Sequence, residues 1–299
     1  MKDPEKKPVP SPCPRTDLAL EDLVSPLSAE EERFFPGGSP VTVTRRLEAD
    51  GSRSVTVACG RITEREEELS ALASLLAREL RREAERLLGA EPSPAHRILV
   101  AGLGNADMTP DAIGPDTVRL LTVTRHLQAH DPTLFEALGG CQLAALSPGT
   151  LGQTGMESGD LVAAAAALCR AELVVAVDAL AARSCERLAS TFQISDRGIC
   201  PGSGVGNRRG GITAHTVGCP VLALGVPTVV DSSTLVWDAL AEAGVDVTAL
   251  PQALTAVLEE GRSFFVSPKD CDRMVELSCR VLAGALDHAF GAGLADLPS

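Results

Sequence analysis

The sequence predicts an α/β fold: a doubly wound, mostly parallel sheet with helices on both faces, preceded by an N-terminal β-hairpin and a long helix. From Arg97 onward, short uninterrupted runs of Val, Ala and Leu alternate with helical segments, as in sheets whose parallel strands are buried on both faces. The chain has 299 residues, of which 44% are hydrophobic and 22% charged, so it can build a sizeable core. No internal repeat and no linker interrupts the chain after residue 21, which predicts a single domain over residues 15–299.

A leader and a hairpin are expected at the N-terminus. Residues 1–14 contain five Pro and alternating charges, which predicts a flexible leader. Two β-rich runs follow, Val41–Leu47 and Ser54–Cys59, and an Asp50-Gly51 turn joins them. Such a turn between two β-rich runs is a strong signal for a hairpin.

A long helix is predicted to begin near Thr63 and to end at about Leu88. Thr63 and Glu66 have the spacing of a capping box, in which each side chain bonds the other residue's main-chain amide. The apolar positions that recur at helical spacing are Leu69, Leu72, Leu76, Leu80 and Leu87. We interpret this helix as structural, with one apolar stripe packed on the body of the protein.

The remaining elements alternate between strand and helix. Strands are predicted at 97–103, 142–146, 173–177, 191–194 and 221–226, and helices at 115–128, 155–170, 232–243 and 270–290.

Composition and charge exclude several classes of function. Asp and Glu total 40 against 27 Lys and Arg, a formal net charge of −13, which repels phosphate backbones and disfavours direct nucleic-acid binding. The longest uncharged apolar run, Leu161–Cys169, is far shorter than the ~20 residues of a membrane-spanning helix. The nine Cys form no CxxC pair, which indicates reduced thiols rather than a zinc site or a disulfide framework. We therefore expect a soluble, cytoplasmic protein without membrane contact.

The loop after the first parallel strand, Gly102–Pro115, resembles a dinucleotide-binding fingerprint, but Asp107 stands where the third Gly belongs. Asp107 and Asp111 would repel a pyrophosphate, so no nucleotide cofactor is expected. Asp111 follows Pro110, and its simplest structural role is that of an acidic residue at a helix N-terminus.

A second carboxylate, Asp178, directly follows the apolar run Leu173–Val177. It either closes a turn or cap, or it faces the crevice beyond the carboxyl ends of the strands. Since Asp111 and Asp178 are both expected at the same rim of the sheet, they can form a pair that shares one proton. One member of such a pair can activate water while the other protonates a leaving amine.

No metal site is predicted. His126 and His130 have i, i+4 spacing, but no HExxH pattern surrounds them, so we interpret them as one helix face. The Gly-rich loop at 201–211 lacks the Lys-Ser/Thr of a phosphate-binding loop and is interpreted as a tight surface loop, whose two Arg could instead shape a substrate groove.

An ordered set of motifs identifies a resemblance. It comprises GLGNADMTPDAIGPD, LLTVTRHL, ALSPGTLGQTGMES, VAVDALAARS, TFQISDRGICPGSGVGN and GVPTVVDSSTL, which together span about Val100 to Leu235 and follow an N-terminal RTDLALE. The set resembles the germination protease family of spore-forming bacteria. The resemblance implies an endopeptidase that degrades small acid-soluble spore proteins during germination, with a fold similar to that of hydrogenase-maturation proteases.

The resemblance also implies a homotetramer that is made as a zymogen in the forespore and loses a short propeptide by self-cleavage. Residues 1–14 would be that propeptide, because RTDLALE is similar to the acidic-hydrophobic site cut in the substrates. The family's two catalytic aspartates, carried over by motif, are Asp111 and Asp178. The chain departs from the family in the extra acid Asp107 and in a shortened segment after Ala243.

Three alternatives remain at this point, the last of which is a nucleotide-binding dehydrogenase, testable by a cofactor-induced thermal shift. The first is a metal-dependent endopeptidase of hydrogenase-maturation type, which chelators would inhibit. The second is a binder of spore proteins without catalytic activity, although a binder has no need of two mutually repelling acids.

Overall fold

The computed structural model describes residues 17–19, 26–200, 211–246, 250, 251, 253 and 264–291. The predicted leader at 1–14 and most of the Gly-rich loop at 201–211 lie outside the described residues. None of the described helices is both long and apolar enough to cross a lipid bilayer.

One sheet organises the part of the chain that is described. Its strands are β1 (Ser28–Phe34), β2 (Val41–Leu47), β3 (Arg53–Ala58), β4 (Arg97–Gly102), β5 (Gln142–Leu146), β6 (Leu173–Ala182), β7 (Thr191–Ser195), β8 (Val221–Asp231) and β9 (Phe265–Val266). The order is β1-β2-β3-β7-β8-β6-β4-β5, and β9 pairs with β8. The neighbours β5, β4, β6 and β8 are parallel, and the other pairs are antiparallel.

The predicted α/β class is confirmed, and parallel pairing is limited to β5, β4, β6 and β8, the part of the described sheet that holds Asp178. The predicted hairpin is present as β2 and β3 and continues this same sheet, because β3 pairs with β7. It is therefore part of the central sheet rather than an addition beside it.

Helices cover both faces of the sheet. They are α1 (Leu69–Leu88), α2 (Ile113–Leu120), α3 (Leu127–His130), α4 (Pro132–Leu138), α5 (Leu151–Thr154), α6 (Ser158–Cys169), α7 (Ala214–Val217), α8 (Ser232–Glu242) and α9 (Cys271–Phe290). The larger apolar cluster joins α1, α2 and α9 to one face, which includes Val175 and Val177 of β6. On the other face, Val162 of α6 packs with Val174 and Ala176.

Two predicted helix boundaries are wrong, and each has a local cause. The helix expected from Thr63 begins at Leu69, because 3-10 turns at 62–64 and 66–68 precede it and no capping box forms. The helix expected over 115–128 ends at Leu120. Beyond it, the Thr124 hydroxyl donates to the Cys141 carbonyl at 2.6 Å and draws the chain onto β5.

Further differences concern length and exposure. The helix expected over 155–170 is present as α6 but begins at Ser158, and the short helix α5, which ends before Gly155 in a left-handed conformation, was not predicted. Strand β1 was not predicted, because its sequence SAEEERF is almost wholly exposed and has no apolar alternation.

The most consequential difference is the length of β6 and β8. β6 continues to Ala182 and β8 to Asp231, whereas β4 ends at Gly102, opposite Val177. The last five residues of β6 therefore extend past its parallel neighbour β4, and they form one wall of the candidate site.

Candidate active site

Asp178 lies inside β6 rather than after it. The predicted position at a strand end is therefore wrong for β6 itself, but Asp178 is the first residue beyond the end of the neighbouring β4. Its side chain is only 7% exposed, and its Oδ1 accepts a hydrogen bond of 2.9 Å from the Ala179 amide. The sheet thus places a buried carboxyl where β4 ends.

Asp111 ends a short 3-10 turn, Thr109–Asp111, that leads into α2. Its Oδ2 accepts a hydrogen bond of 2.8 Å from the Asn105 amide, within the same loop. The side chain is half-buried. The loop amide thus bonds the Asp111 carboxyl, and the 3-10 turn fixes the position of Asp111 in the loop.

Glycines in this loop allow close backbone packing rather than dinucleotide binding. A Cβ on Gly114 would lie 2.2 Å from the Leu103 carbonyl oxygen and 2.5 Å from that of Val177. Gly104 has φ +110, and a Cβ there would lie 2.0 Å from the Asp111 carbonyl oxygen. The first turn of α2 therefore rests directly on Leu103, which follows β4, and on Val177 in the middle of β6.

The two aspartates are close enough to interact electrostatically. Burial raises the pKa of Asp178 well above the ordinary value, and the negative charge of Asp111 raises it further. The Ala179 amide opposes this shift, while the charge of Asp17 adds to it. The arrangement therefore favours a protonated Asp178 at pH values where an ordinary aspartate is ionised.

Thr228 of β8 holds the loop that carries Asp111. Its hydroxyl donates a hydrogen bond of 2.6 Å to the Pro110 carbonyl, and its side chain is fully buried. The sequence analysis did not single out Thr228. A polar residue inside an otherwise apolar strand was the available signal, since a buried hydroxyl needs a partner.

Thr228→Val is expected to lower kcat about tenfold and to destabilise the fold by roughly 1–2 kcal/mol, because a buried carbonyl loses its donor and the adjacent Asp111 is less firmly placed. Steady-state kinetics and urea unfolding would measure the two effects. The matched control is Thr124→Val, which removes another fully buried hydroxyl bonded to a carbonyl at 2.6 Å, away from the aspartates. Equal losses of kcat in both variants would contradict the positioning role.

Asp107 lies on the exposed outer part of the loop. Its Oδ2 accepts a hydrogen bond of 3.3 Å from Gln153, and the same Gln153 side chain donates to Asn105 at 2.7 Å. The charges that raise the pKa of Asp178 are those of Asp111 and Asp17, and Asp107 is not among them.

The described residues contain no group of three or more His, Cys, Asp and Glu side chains that could hold a metal ion. His126 and His130 are both exposed, at the ends of α3.

A segment from the N-terminal region lies along the site. Asp17 pairs with β6 beyond the end of β4: its amide donates to the Ala181 carbonyl at 2.9 Å, and its Oδ2 accepts from the Ala181 amide at 2.9 Å. Leu18 is 1% exposed in an apolar cluster with residues of β6 and β8. The sequence analysis recognised the RTDLALE motif but did not predict where it docks.

Gln193 of β7 was also missed. Its carboxamide bonds the main chain of Asp17 and Ala19, and its side chain is 8% exposed. A glutamine in the otherwise apolar strand TFQIS was the signal that could have revealed it.

Comparison with known proteins gives consistent matches. A family model described as Germination protease matches residues 42–242. A germination protease of Caldanaerobacter subterraneus subsp. tengcongensis is 33% identical over 322 aligned residues, covering 94% of this chain and 95% of that protein. A germination protease of Clostridium perfringens (strain SM101 / Type A) is 39% identical over 212 residues, covering 64% of this chain and 65% of that protein.

Among solved structures, the chain matches the [NiFe] hydrogenase maturation protease HycI from Thermococcus kodakarensis KOD1, with a TM-score of 0.33, 16% identity, and coverage of 67% of this chain and 98% of that one. The family model spans β2 through α8, and the first relative aligns with almost the whole chain. On these matches, the chain belongs to the germination protease family and is a peptidase.

Proposed function

We propose that this peptidase hydrolyses small acid-soluble spore proteins during spore germination and uses Asp111 and Asp178 to activate water. The observation that carries the proposal is the buried carboxyl of Asp178, whose pKa is raised by burial and by the charge of Asp111. A pair of carboxyls held in different protonation states supplies the base and the acid that peptide hydrolysis needs.

The environments of the two carboxyls suggest a division of roles. Asp178 is buried and would be the protonated member, whereas Asp111 is half-buried and accepts an amide hydrogen bond as a carboxylate. Ionised Asp111 would take a proton from water as the oxygen attacks the scissile carbonyl. Protonated Asp178 would then give its proton to the leaving nitrogen as the C–N bond breaks. After hydrolysis Asp111 carries a proton and Asp178 does not, so one proton must pass from Asp111 to Asp178 before the next cycle.

We further propose that the chain is a zymogen, with residues 1–14 as the propeptide and residues 15–299 as a single peptidase domain. Docking of Asp17 and Leu18 near Asp178 supports this, because an acidic residue followed by an apolar one is held against β6 and β8. Assembly as a homotetramer in the spore core rests on the family relationship. The net charge of −13 favours protein over nucleic acid as the partner.

Cleavage of a purified small acid-soluble spore protein at neutral pH tests the function. We expect both the full-length chain, after self-cleavage, and a chain that begins at Arg15 to cut it at an acidic-hydrophobic site with a chelator present. Inhibition by the chelator and recovery with added divalent metal would instead favour the metal-dependent peptidase. Intact substrate in a stable complex would favour the non-catalytic binder.

A further inference from the structure

The Gln193 carboxamide bonds a peptide in the way that a neighbouring parallel strand would. Its Nε2 donates to the Asp17 carbonyl at 2.9 Å, and its Oε1 accepts from the Ala19 amide at 2.6 Å. In a parallel ladder, one residue likewise bonds the carbonyl before and the amide after the residue it faces. The carboxamide therefore makes the two hydrogen bonds that the main chain of a neighbouring parallel strand would make opposite Leu18. Neither hydrogen bond involves the side chain of Asp17 or Ala19.

The sheet register places this carboxamide beside the aspartate. Gln193 pairs with Gly225 of β8, and Gly225 pairs with Asp178 of β6. Side chains of directly paired residues lie on the same face of a sheet, so Gln193 and Asp178 share a face two strand spacings, or about 10 Å, apart. The residue between them has no side chain, and a Cβ there would lie 2.6 Å from the Leu180 Cγ.

Other contacts to the same segment recognise different features. Arg46 of β2 donates to the Ala19 carbonyl, which is a second main-chain contact. The Ala181 amide bonds the Asp17 carboxylate, which recognises an acid. The apolar cluster around Leu18 comprises Leu180, Ala182, Leu188 and Val230. Main-chain contacts that fit any sequence are thus combined with separate sites for an acid and for an apolar side chain.

We propose that Gln193 is a substrate-binding residue, whose carboxamide binds the main chain of the peptide on both sides of the apolar residue that follows the acid. In this view residues 17–19 occupy the position that substrate takes, and substrate must displace them from Gln193 in the self-cleaved protein. The inference rests on the proposed function. Main-chain recognition of this kind does not depend on the side chains of the peptide and holds its main chain against the sheet.

Hydrogen exchange on the full-length chain tests the contact without requiring activity. In an Asp178→Asn background, which keeps the leader attached, Gln193→Ala should speed exchange of the Ala19 amide at least about tenfold, because that amide loses its acceptor. The matched control is Gln142→Ala, which removes an equally buried glutamine bonded to the Pro94 carbonyl. Equal exchange of the Ala19 amide in both variants would overturn the proposal.

Substrate kinetics tests whether the same carboxamide binds substrate. The self-cleaved protein would be given a peptide with the sequence of residues 11–25, and an analogue in which an ester oxygen replaces the amide nitrogen equivalent to that of Ala19. Wild type should hydrolyse the ester analogue with a kcat/KM about 5- to 20-fold lower, since one hydrogen bond is lost. Gln193→Ala should lower kcat/KM for the amide peptide about 10- to 100-fold and abolish the difference between the two peptides.

The outcomes separate this proposal from the proposed function. If wild type cleaves the peptide and Gln193→Ala keeps the full ester penalty, Gln193 does not bind substrate, although the peptidase function stands. If wild type cleaves neither peptide nor spore protein, the proposed function fails, and the exchange measurement still decides whether Gln193 holds residues 17–19. Gln193→Glu, which keeps the acceptor but lacks the donor, should retain the ester penalty if it folds.

Discussion

Asp178→Asn should abolish peptide hydrolysis, by about 10³-fold or more in kcat, and leave the fold intact. The substitution keeps the shape of the side chain and an oxygen that can accept from the Ala179 amide, but it removes the transferable proton. The matched control is Asp287→Asn, which changes another carboxyl whose pKa is raised by burial, at the end of α9 and bonded to Thr122. Full activity of Asp178→Asn would refute the paired-aspartate mechanism.

The same substitution should change how stability depends on pH. Because the pKa of Asp178 is raised in the folded state, the native protein holds a proton that the unfolded chain releases near pH 4. Wild type should therefore lose stability as pH rises from about 4 toward the raised folded pKa. Asp178→Asn should lack this loss and be the more stable protein at pH 7. Urea unfolding at a series of pH values would show it, and parallel curves would contradict the raised pKa.

Gly114→Ala should destabilise the fold strongly. The new Cβ would overlap main-chain atoms of Val177, in β6, and of Leu103, which is bonded to Val177, and these atoms cannot move aside as a flexible side chain would. We expect a destabilisation of about 3 kcal/mol and a large loss of activity, because α2 and the turn that carries Asp111 must shift.

Gly152→Ala provides the control for Gly114→Ala. Gly152 lies in α5 near the same loop, and a Cβ there would meet nothing within 4 Å. Alanine at this helical position should leave activity unchanged and stabilise slightly, by about 0.5–1 kcal/mol. Urea unfolding and kcat of both variants would be compared. Equal stability of the two variants would show that the first turn of α2 does not pack directly against Leu103 and Val177.

Much of the parallel part of the sheet could be predicted from sequence, because its strands are continuous apolar runs. Such runs can be recognised from neighbouring residues alone. The strand at Gln142–Leu146 is found with the predicted bounds. Asp111 could be found for the same reason, since its loop directly follows the apolar strand β4. Local apolar patterning therefore located the parallel core and the rim where the carboxyls lie.

The rest depends on partners far away in the sequence. Nothing local shows that β6 continues through Ala179–Ala182, because these residues are in a strand only by pairing with β8. Gln193 and Thr228 lie inside strands, whereas functional residues of such a sheet are expected in the loops beyond the carboxyl ends of the strands. Their roles become visible only when the register places them beside the site.

The long extension of β6 along β8 has a consequence for synthesis of the chain. The contacts that complete the site join residues far apart in sequence: Thr228 with Pro110 across 118 positions, and Gln193 with Asp17 across 176. A ribosome makes both aspartates before it makes β8, so a nascent chain carries the acids without the strand that supports them. Topologies dominated by such distant pairings also assemble slowly. We therefore expect an unfinished copy to lack the Thr228 contact that holds the Asp111 loop, so that the candidate site is organised only after β8 has been made.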